Sequence, residues 1–248
     1  GVGFGKKPTE QIEKLPGVKV YSLVTRRKQE SVLKTVNGIR PEFIEATGKI
    51  IEEAENVFQK INHEMLLPLA DHIALAAKRA KENRQLPNPF TPDIRVLFGE
   101  EYQVALKGRE IIQQLTGYEI SEDEVGFITL HIHAGLSDEA VSQTLDATRI
   151  VNEGIAMIEQ EFDQKLESGS LGCTRLMSHM YYMILRTRKG EGTNADFNDF
   201  IFQNYPRTGE AAKRVCDYMS RQLKQPVAKE EIGFLAIHIQ RVISPDTV

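Results

Sequence analysis

The chain repeats itself at an offset of 107 residues, and this limits its possible folds more than any other feature. His72 and His131 are 59 positions apart (131 − 72), and so are His179 and His238 (238 − 179). The two pairs are offset by 107 (179 − 72 and 238 − 131). The register also holds away from the histidines. Shifted by 107 without a gap, EVGFITLHI at 124–132 falls on EIGFLAIHI at 231–239. Glu124, Gly126, Phe127, His131 and Ile132 meet Glu231, Gly233, Phe234, His238 and Ile239. Phe90 meets Phe197, Ile94 meets Ile201, Ala105 meets Ala212 and Arg79 meets Arg186. Such a period is too long for a solenoid unit and normal for a domain, so one domain occurs twice.

Composition narrows the class. Of 248 residues, 41% are hydrophobic and 27% charged, a globular profile. A net charge of −4 argues against the whole chain being a nucleic-acid platform. No apolar run approaches the roughly 18 residues of a membrane span, and no signal peptide is visible. Cys173 and Cys216 read as free thiols in a reduced cytoplasm. A chain that begins on Gly1 rather than Met is expected to lack its natural N-terminus.

The first 36 residues differ from the rest. GVGFGKK alternates glycine with other residues, and VYSLV at 20–24 reads as a short strand. From Pro41 the period becomes helical. Ile44, Ile50, Ile51, Ala54, Val57, Phe58 and Ile61 recur at threes, fours and sevens. Pro68 opens a second helix, LADHIALAAKRAKEN, and PNPFTP at 87–92 is a breaker. A further helix is predicted over about 100–115. Another is predicted from Ser121, whose cap and following acids suit a helix start, and it carries His131. Copy two repeats the outline. Its apolar face runs from Ile150 to Phe162, CTRLMSHMYYMILRTRKG follows, and then come Ala211–Leu223 and Lys229–Ile243. GLSDEAVSQT at 135–144 has no flexible-linker composition and reads as a helix feeding the second copy. The fold class is therefore mainly α, two tandem homologous helical bundles after a short β-type segment.

Four placed imidazoles admit four chemistries. A hydrogen-bonded, inert core histidine is the better reading for any one alone, and duplication copies core residues too. Metal binding on a helix needs ligands three or four apart; His131 and His133 are two apart and diverge. Hydrolysis lacks its motifs, for neither GxSxG nor HExxH is present, and adjacent Asp71 and His72 do not face each other on a helix. The fourth is phosphoryl acceptance, since a neutral imidazole is nucleophilic near neutral pH. Arginines stand in support. His179 shares a face with Arg175, Tyr182 and Arg186, while Arg79 lies two turns after His72, about 10 Å along the axis. It approaches His72 without an evident contact, and an ordinary solvated helix end explains these arginines as well.

These residues carry a family likeness. The chain resembles the bacterial transcription antiterminators regulated by the sugar phosphotransferase system, the BglG/SacY family. Such proteins have a small N-terminal RNA-binding domain and two tandem regulation domains, the PRDs. The strings that carry the resemblance are GVGFGKKP, LADHIALAAKR, EVGFITLHIHAG and EIGFLAIHIQRV, and two of them, LADHIALA and GFITLHIH, are most similar to the glucose-type branch. The resemblance implies a tail of the RNA-binding domain and linker at 1–36, a first PRD at 37–143 and a second at 144–248. It implies phosphorylatable histidines at His72 and His131 in the first PRD, and at His179 and His238 in the second. The expected donors are the sugar-specific permease (its EIIB part) for the first domain and the phosphocarrier protein HPr for the second. It further implies a homodimer, an RNA hairpin as partner, no cofactor, no metal and no enzymatic activity. Phe4, Lys6 and Lys7 match part of the RNA-binding domain and are candidate RNA contacts through stacking and charge. His63 and His133 have no histidine counterpart, since Ser170 and Gln240 stand there (63 + 107 and 133 + 107), and they read as accessory. LMSHMYY in copy two departs from the Asp-His-Ile pattern around His72. Two other classes remain beside this one: a DNA-binding activator with the same regulation domains, and a metal- or ligand-sensing bundle.

Overall fold

Residues 38–137, 139–192 and 195–244 are described by the structure, a computed structural model. Ten α-helices and a short 3-10 turn form the regular structure of these residues, and no strand occurs among them. Copy one contains α1 (Pro41–Phe58), the 3-10 turn (His63–Met65), α2 (Leu66–Lys81), α3 (Thr91–Leu97), α4 (Gly99–Thr116) and α5 (Glu122–Leu136). Copy two contains α6 (Val141–Phe162), α7 (Leu171–Lys189), α8 (Asn198–Asn204), α9 (Pro206–Leu223) and α10 (Glu231–Ile243). In each copy the first long helix packs on the second and fourth, and the fourth packs on the last. The second and last helices also meet, which brings the histidine-bearing helices together.

Sequence dictates these elements locally. Phe43, Ala46, Thr47, Ile50, Ile51 and Ala54 form the buried stripe of α1, and Pro41 fits its first turn because its missing N–H would be unpaired there anyway. The Ser121 hydroxyl accepts from the Glu124 amide and caps α5. Ser170 caps α7 in the same way, through the Cys173 amide. The core runs through both copies, with Ile50, Ile112 and Ile128 fully buried in the first and Ile150, Met180 and Ile184 in the second. Each such side chain contributes about 1.5–3 kcal/mol through burial. Both cysteines are free and buried.

Glycine has a repeated job at the last helix. A Cβ on Gly126 would lie 2.9 Å from Thr91 Oγ1 and 3.0 Å from Asn88 Nδ2. A Cβ on Gly233 would lie 3.2 Å from Phe197. The segment leading into each short helix can therefore press against the helix that carries the second histidine.

The structure departs from the sequence expectations in three places. The short helices α3 and α8 were not expected; PNPFTP breaks the chain only up to Phe90, and Pro92 then sits in the first turn of α3. Helix α9 begins at Pro206 rather than near Ala211. GLSDEAVSQT is not one helix. Helix α5 ends at Leu136, Ser137 and Ala140 are extended, and Val141 starts the first helix of copy two. The expected strand at 20–24 and the candidate contacts Phe4, Lys6 and Lys7 lie outside the described residues.

A polar chain joins the two copies. His133 Nδ1 is 2.9 Å from Glu101 Oε1, and His133 Nε2 is 3.1 Å from the Tyr181 hydroxyl of copy two. That hydroxyl donates to Glu139 Oε2 at 2.9 Å, and Arg188 donates to Glu139 Oε1 at 2.8 Å. Phe98 packs against both rings, with centroids 4.2 Å from His133 and 5.2 Å from Tyr181. Asn152 of α6 adds a bond to Asp93 of α3 at 3.0 Å. The accessory histidine of the sequence is thus a joint residue. Its counterpart Gln240 instead accepts from Thr208 at 2.6 Å (133 + 107 and 101 + 107), within copy two. Tyr181→Phe is expected to cost about 1–2 kcal/mol, the penalty for leaving buried partners of one hydroxyl unpaired. Calorimetry is expected to show one melting transition for the wild type and two for the variant. Unchanged cooperativity would mean that the joint rests on apolar packing alone.

Candidate functional site

The four paired histidines meet two by two. Helix α2 holds His72 and α5 holds His131, and their ring centroids are 5.1 Å apart. Helix α7 holds His179 and α10 holds His238, with ring centroids 4.6 Å apart and planes inclined by 26°. Residues 59 apart in sequence become neighbours because the second and last helices of each copy cross at these points.

Each pair rests on a buried carboxylate that the sequence reading assigned only to the helix start. Glu124 and Glu231 are 3% and 2% exposed. Arg79 Nε donates to Glu124 Oε1 at 2.8 Å, and His72 Nε2 lies 3.1 Å from Glu124 Oε2. The histidine contact is electrostatic rather than a directed hydrogen bond, since neither of its atoms has an aligned partner. Arg79 and His72 thus converge on one glutamate. Arg186 differs. It holds both oxygens of Glu231, at 2.8 and 2.9 Å, and His179 Nε2 stands off at 3.6 Å. With Glu231 saturated by the guanidinium, His179 lies nearly parallel to His238.

Charge follows from this geometry. Burial acts to raise the Glu124 carboxyl, but the close approach of His72 and the hydrogen bond and charge of Arg79 prevail and hold it below the ordinary carboxylate value. Burial, helped by the neighbouring His72, pushes His131 down to about 3. Burial, with His238 and Arg186 adding to it, pushes His179 down to about 3 as well. His238 is lowered by burial and then by Arg241 and Arg175. Three imidazoles are therefore neutral at physiological pH, with a ring lone pair available for nucleophilic attack.

Arg175 lies four positions before His179 on α7, and the structure also sets it with Arg241 around a pocket that His238 lines. Among the described residues, no group of three or more His, Cys, Asp or Glu side chains is arranged to hold a metal ion.

The duplicated helical unit sets two imidazoles over a Glu–Arg pair in each copy. The PRD domain model matches residues 48–135 and 148–242, and the chain belongs to the PRD family, with two PRD domains in tandem. Its named relatives are regulators of transcription. It is 29% identical over 246 residues to the GlcA/glcB genes antiterminator of Staphylococcus carnosus (strain TM300), covering 96% of this chain and 85% of that protein. It is 25% identical over 247 residues to the transcription antiterminator LicT of Bacillus subtilis (strain 168), covering 98% of this chain and 89% of that protein. A solved structure, described as the crystal structure of GlcT CAT-PRDI, shares 32% identity and a TM-score of 0.50, over 55% of this chain and 82% of that one. Among the described residues, no helix is long and apolar enough to cross a membrane.

Proposed function

We propose that this protein is a sugar-responsive transcription antiterminator of the glucose-type branch, switched by reversible phosphorylation of His72, His131, His179 and His238. The donors are HPr and the EIIB part of a sugar-specific permease. Phosphorylation controls RNA-hairpin binding by the N-terminal segment, where Phe4, Lys6 and Lys7 are the candidate contacts. We take 37–143 and 144–248 as the two regulation domains, the molecule as a homodimer, and its place as the cytoplasm. It catalyses no reaction of its own.

The observation that carries this reading is the twice-built pair of close imidazoles, each over a buried carboxylate held by one arginine. The geometry suits a switch. Phosphorylation adds close to two negative charges and three acceptor oxygens. On His72 that group would compete with Glu124 for Arg79, and on the facing ring it would repel the same glutamate. Either way the crossing of the two histidine helices is disturbed, and that crossing connects to the inter-copy joint through α5, which also carries His133. The two copies then bias one another's packing.

Incubation with phosphorylated HPr or EIIB, followed by mass spectrometry that spares acid-labile phosphohistidine, tests the proposal. Wild type is expected to take label on the paired histidines. A variant with alanine at His72, His131, His179 and His238 is expected to take none. Equal labelling of the two, or no label on wild type, would sink the reading.

A further inference from the structure

The two copies differ most in what lies beside the second histidine. In copy two, a cavity of about 230 Å³ opens at His238, lined also by Ser170, Gly172, Arg175 and Arg241. Arg241 is one turn after His238 on α10, and Arg175 comes from the second turn of α7. Both arginines are exposed, and neither has a carboxylate partner among the described residues. The Cys173 amide is satisfied by the Ser170 cap, while the amides of Leu171 and Gly172 have no acceptor among the described residues. The residues that carry these two guanidinium groups and two N–H groups thus line one cavity with the His238 imidazole.

Copy one lacks both arginines. Arg175 and Arg241 correspond to Pro68 and Ala134 (175 − 107 and 241 − 107). Gly172 corresponds to Met65 and Val242 to Gly135 (172 − 107 and 242 − 107). Met65 is buried, and its sulfur would lie 2.5 Å from a Cβ on Gly135, so side-chain bulk fills the corresponding space. In copy two a glycine stands where copy one has that methionine, and two arginines stand where it has a proline and an alanine.

We propose that this pocket is a phosphoryl-anion site, in which Arg175, Arg241 and the first amides of α7 hold the group carried by His238, making His238 the preferred acceptor of copy two and His179 a minor one. This rests on the phosphoacceptor reading above and goes beyond it by separating the two histidines. His179 is the poorer acceptor on three counts. It is 14% exposed, it lies 3.6 Å from the Glu231 carboxylate, and the arginine on that carboxylate is already spent on both oxygens. A dianion there meets a buried negative charge, whereas one on His238 meets two positive side chains. Guanidinium pairs of this kind recognise phosphate through short, charge-assisted hydrogen bonds.

The transfer balances without a co-reactant. The unprotonated ring nitrogen of His238 attacks phosphorus, an N–P bond forms, and the N–P bond of the HPr phosphohistidine breaks with its electron pair returning to the donor ring. The proton on the other ring nitrogen of His238 passes to solvent, and the donor ring takes one up from solvent to leave as neutral imidazole. Burial and the two arginines keep His238 neutral beforehand, so the attacking lone pair is present.

The full chain is treated with phosphorylated HPr, and separately with phosphorylated EIIB, and each histidine's label is quantified by mass spectrometry. Copy-two label is expected on His238, at least about tenfold over His179. The double variant Arg175→Ala, Arg241→Ala is expected to lose about tenfold or more of the His238 label and to keep the label on His72 and His131 unchanged, which also shows that the fold persists. The corresponding double lysine variant, which keeps charge without the fork, should recover part of it. Label on His179 instead, unchanged label on His238 in the alanine variant, or binding of inorganic phosphate in the pocket without any label on His238 overturns the proposal. Label confined to copy one overturns it while leaving the broader reading standing. No label on any of the four histidines removes both.

Discussion

Arg79→Ala is expected to cost about 3 kcal/mol and to reverse the pH dependence of copy one's stability. Removing one partner of a buried ion pair leaves the other charge uncompensated, which typically costs about 3–5 kcal/mol. The lower end applies because His72 Nε2 remains 3.1 Å from the Glu124 carboxylate. In the wild type the Glu124 carboxyl is lowered from 4.5, so its contribution is complete above that value and is lost as pH falls through the lower folded value. Without Arg79, burial is opposed by His72 alone and raises the carboxyl. A raised carboxyl acts in the other sense: stability then declines as pH rises through the carboxylate range. Urea titrations over that range read both effects. Arg79→Lys, which keeps the charge without the fork, should restore the sign and part of the loss. A loss below about 1 kcal/mol, or a slope that keeps its sign in the alanine variant, would mean that Glu124 is not held by Arg79 as the geometry indicates. Arg186→Ala should cost more, since Arg186 alone saturates Glu231 and His179 is farther away.

That glutamate shows where sequence reading stops. The offset of 107 already placed Glu124 on Glu231, so the signal was present. The acidic run after Ser121 reads more simply as a first-turn dipole, and Glu122 and Asp123 do serve there. What separates Glu124 from its neighbours is the crossing of α2 over α5, a long-range contact that no local pattern encodes. Arg79 illustrates the same boundary. Its distance along the helix from His72 follows from helical rise, but their shared partner does not. His133 lacks a counterpart and so looked accessory, though its singularity reflects the one surface that docks a second copy. The short helices α3 and α8 escaped because seven residues after a proline-rich or polar stretch carry too little periodicity. Duplication, helical class and the four histidines were legible because each depends on type and spacing alone.

Acidification from neutral pH to about pH 5 is expected to remove about 4 kcal/mol of stability, most of it through His131 and His179. Both sit at about 3 against an unfolded value of 6.5. A lowered imidazole contributes stability that is complete above 6.5 and is lost as pH falls toward 3, at about 1.4 kcal/mol per pH unit for each histidine. His238 is lowered as well and adds in the same direction, and the Glu124 carboxyl joins only below the histidine window. The facing groups explain why relief is unavailable. A proton on His131 meets His72 at 5.1 Å between ring centres, and one on His179 meets Arg186 and His238. Urea midpoints measured across the histidine range test this. His131→Asn, which cannot titrate, should remove about half of the slope, and a flat profile down to pH 5 would show that these rings are solvated rather than buried. The consequence reaches the chemistry. An environment that refuses a proton at neutral pH keeps the lone pair on the ring, so the burial that makes the fold acid-sensitive also supplies the neutral ring that the proposed phosphoryl acceptance requires.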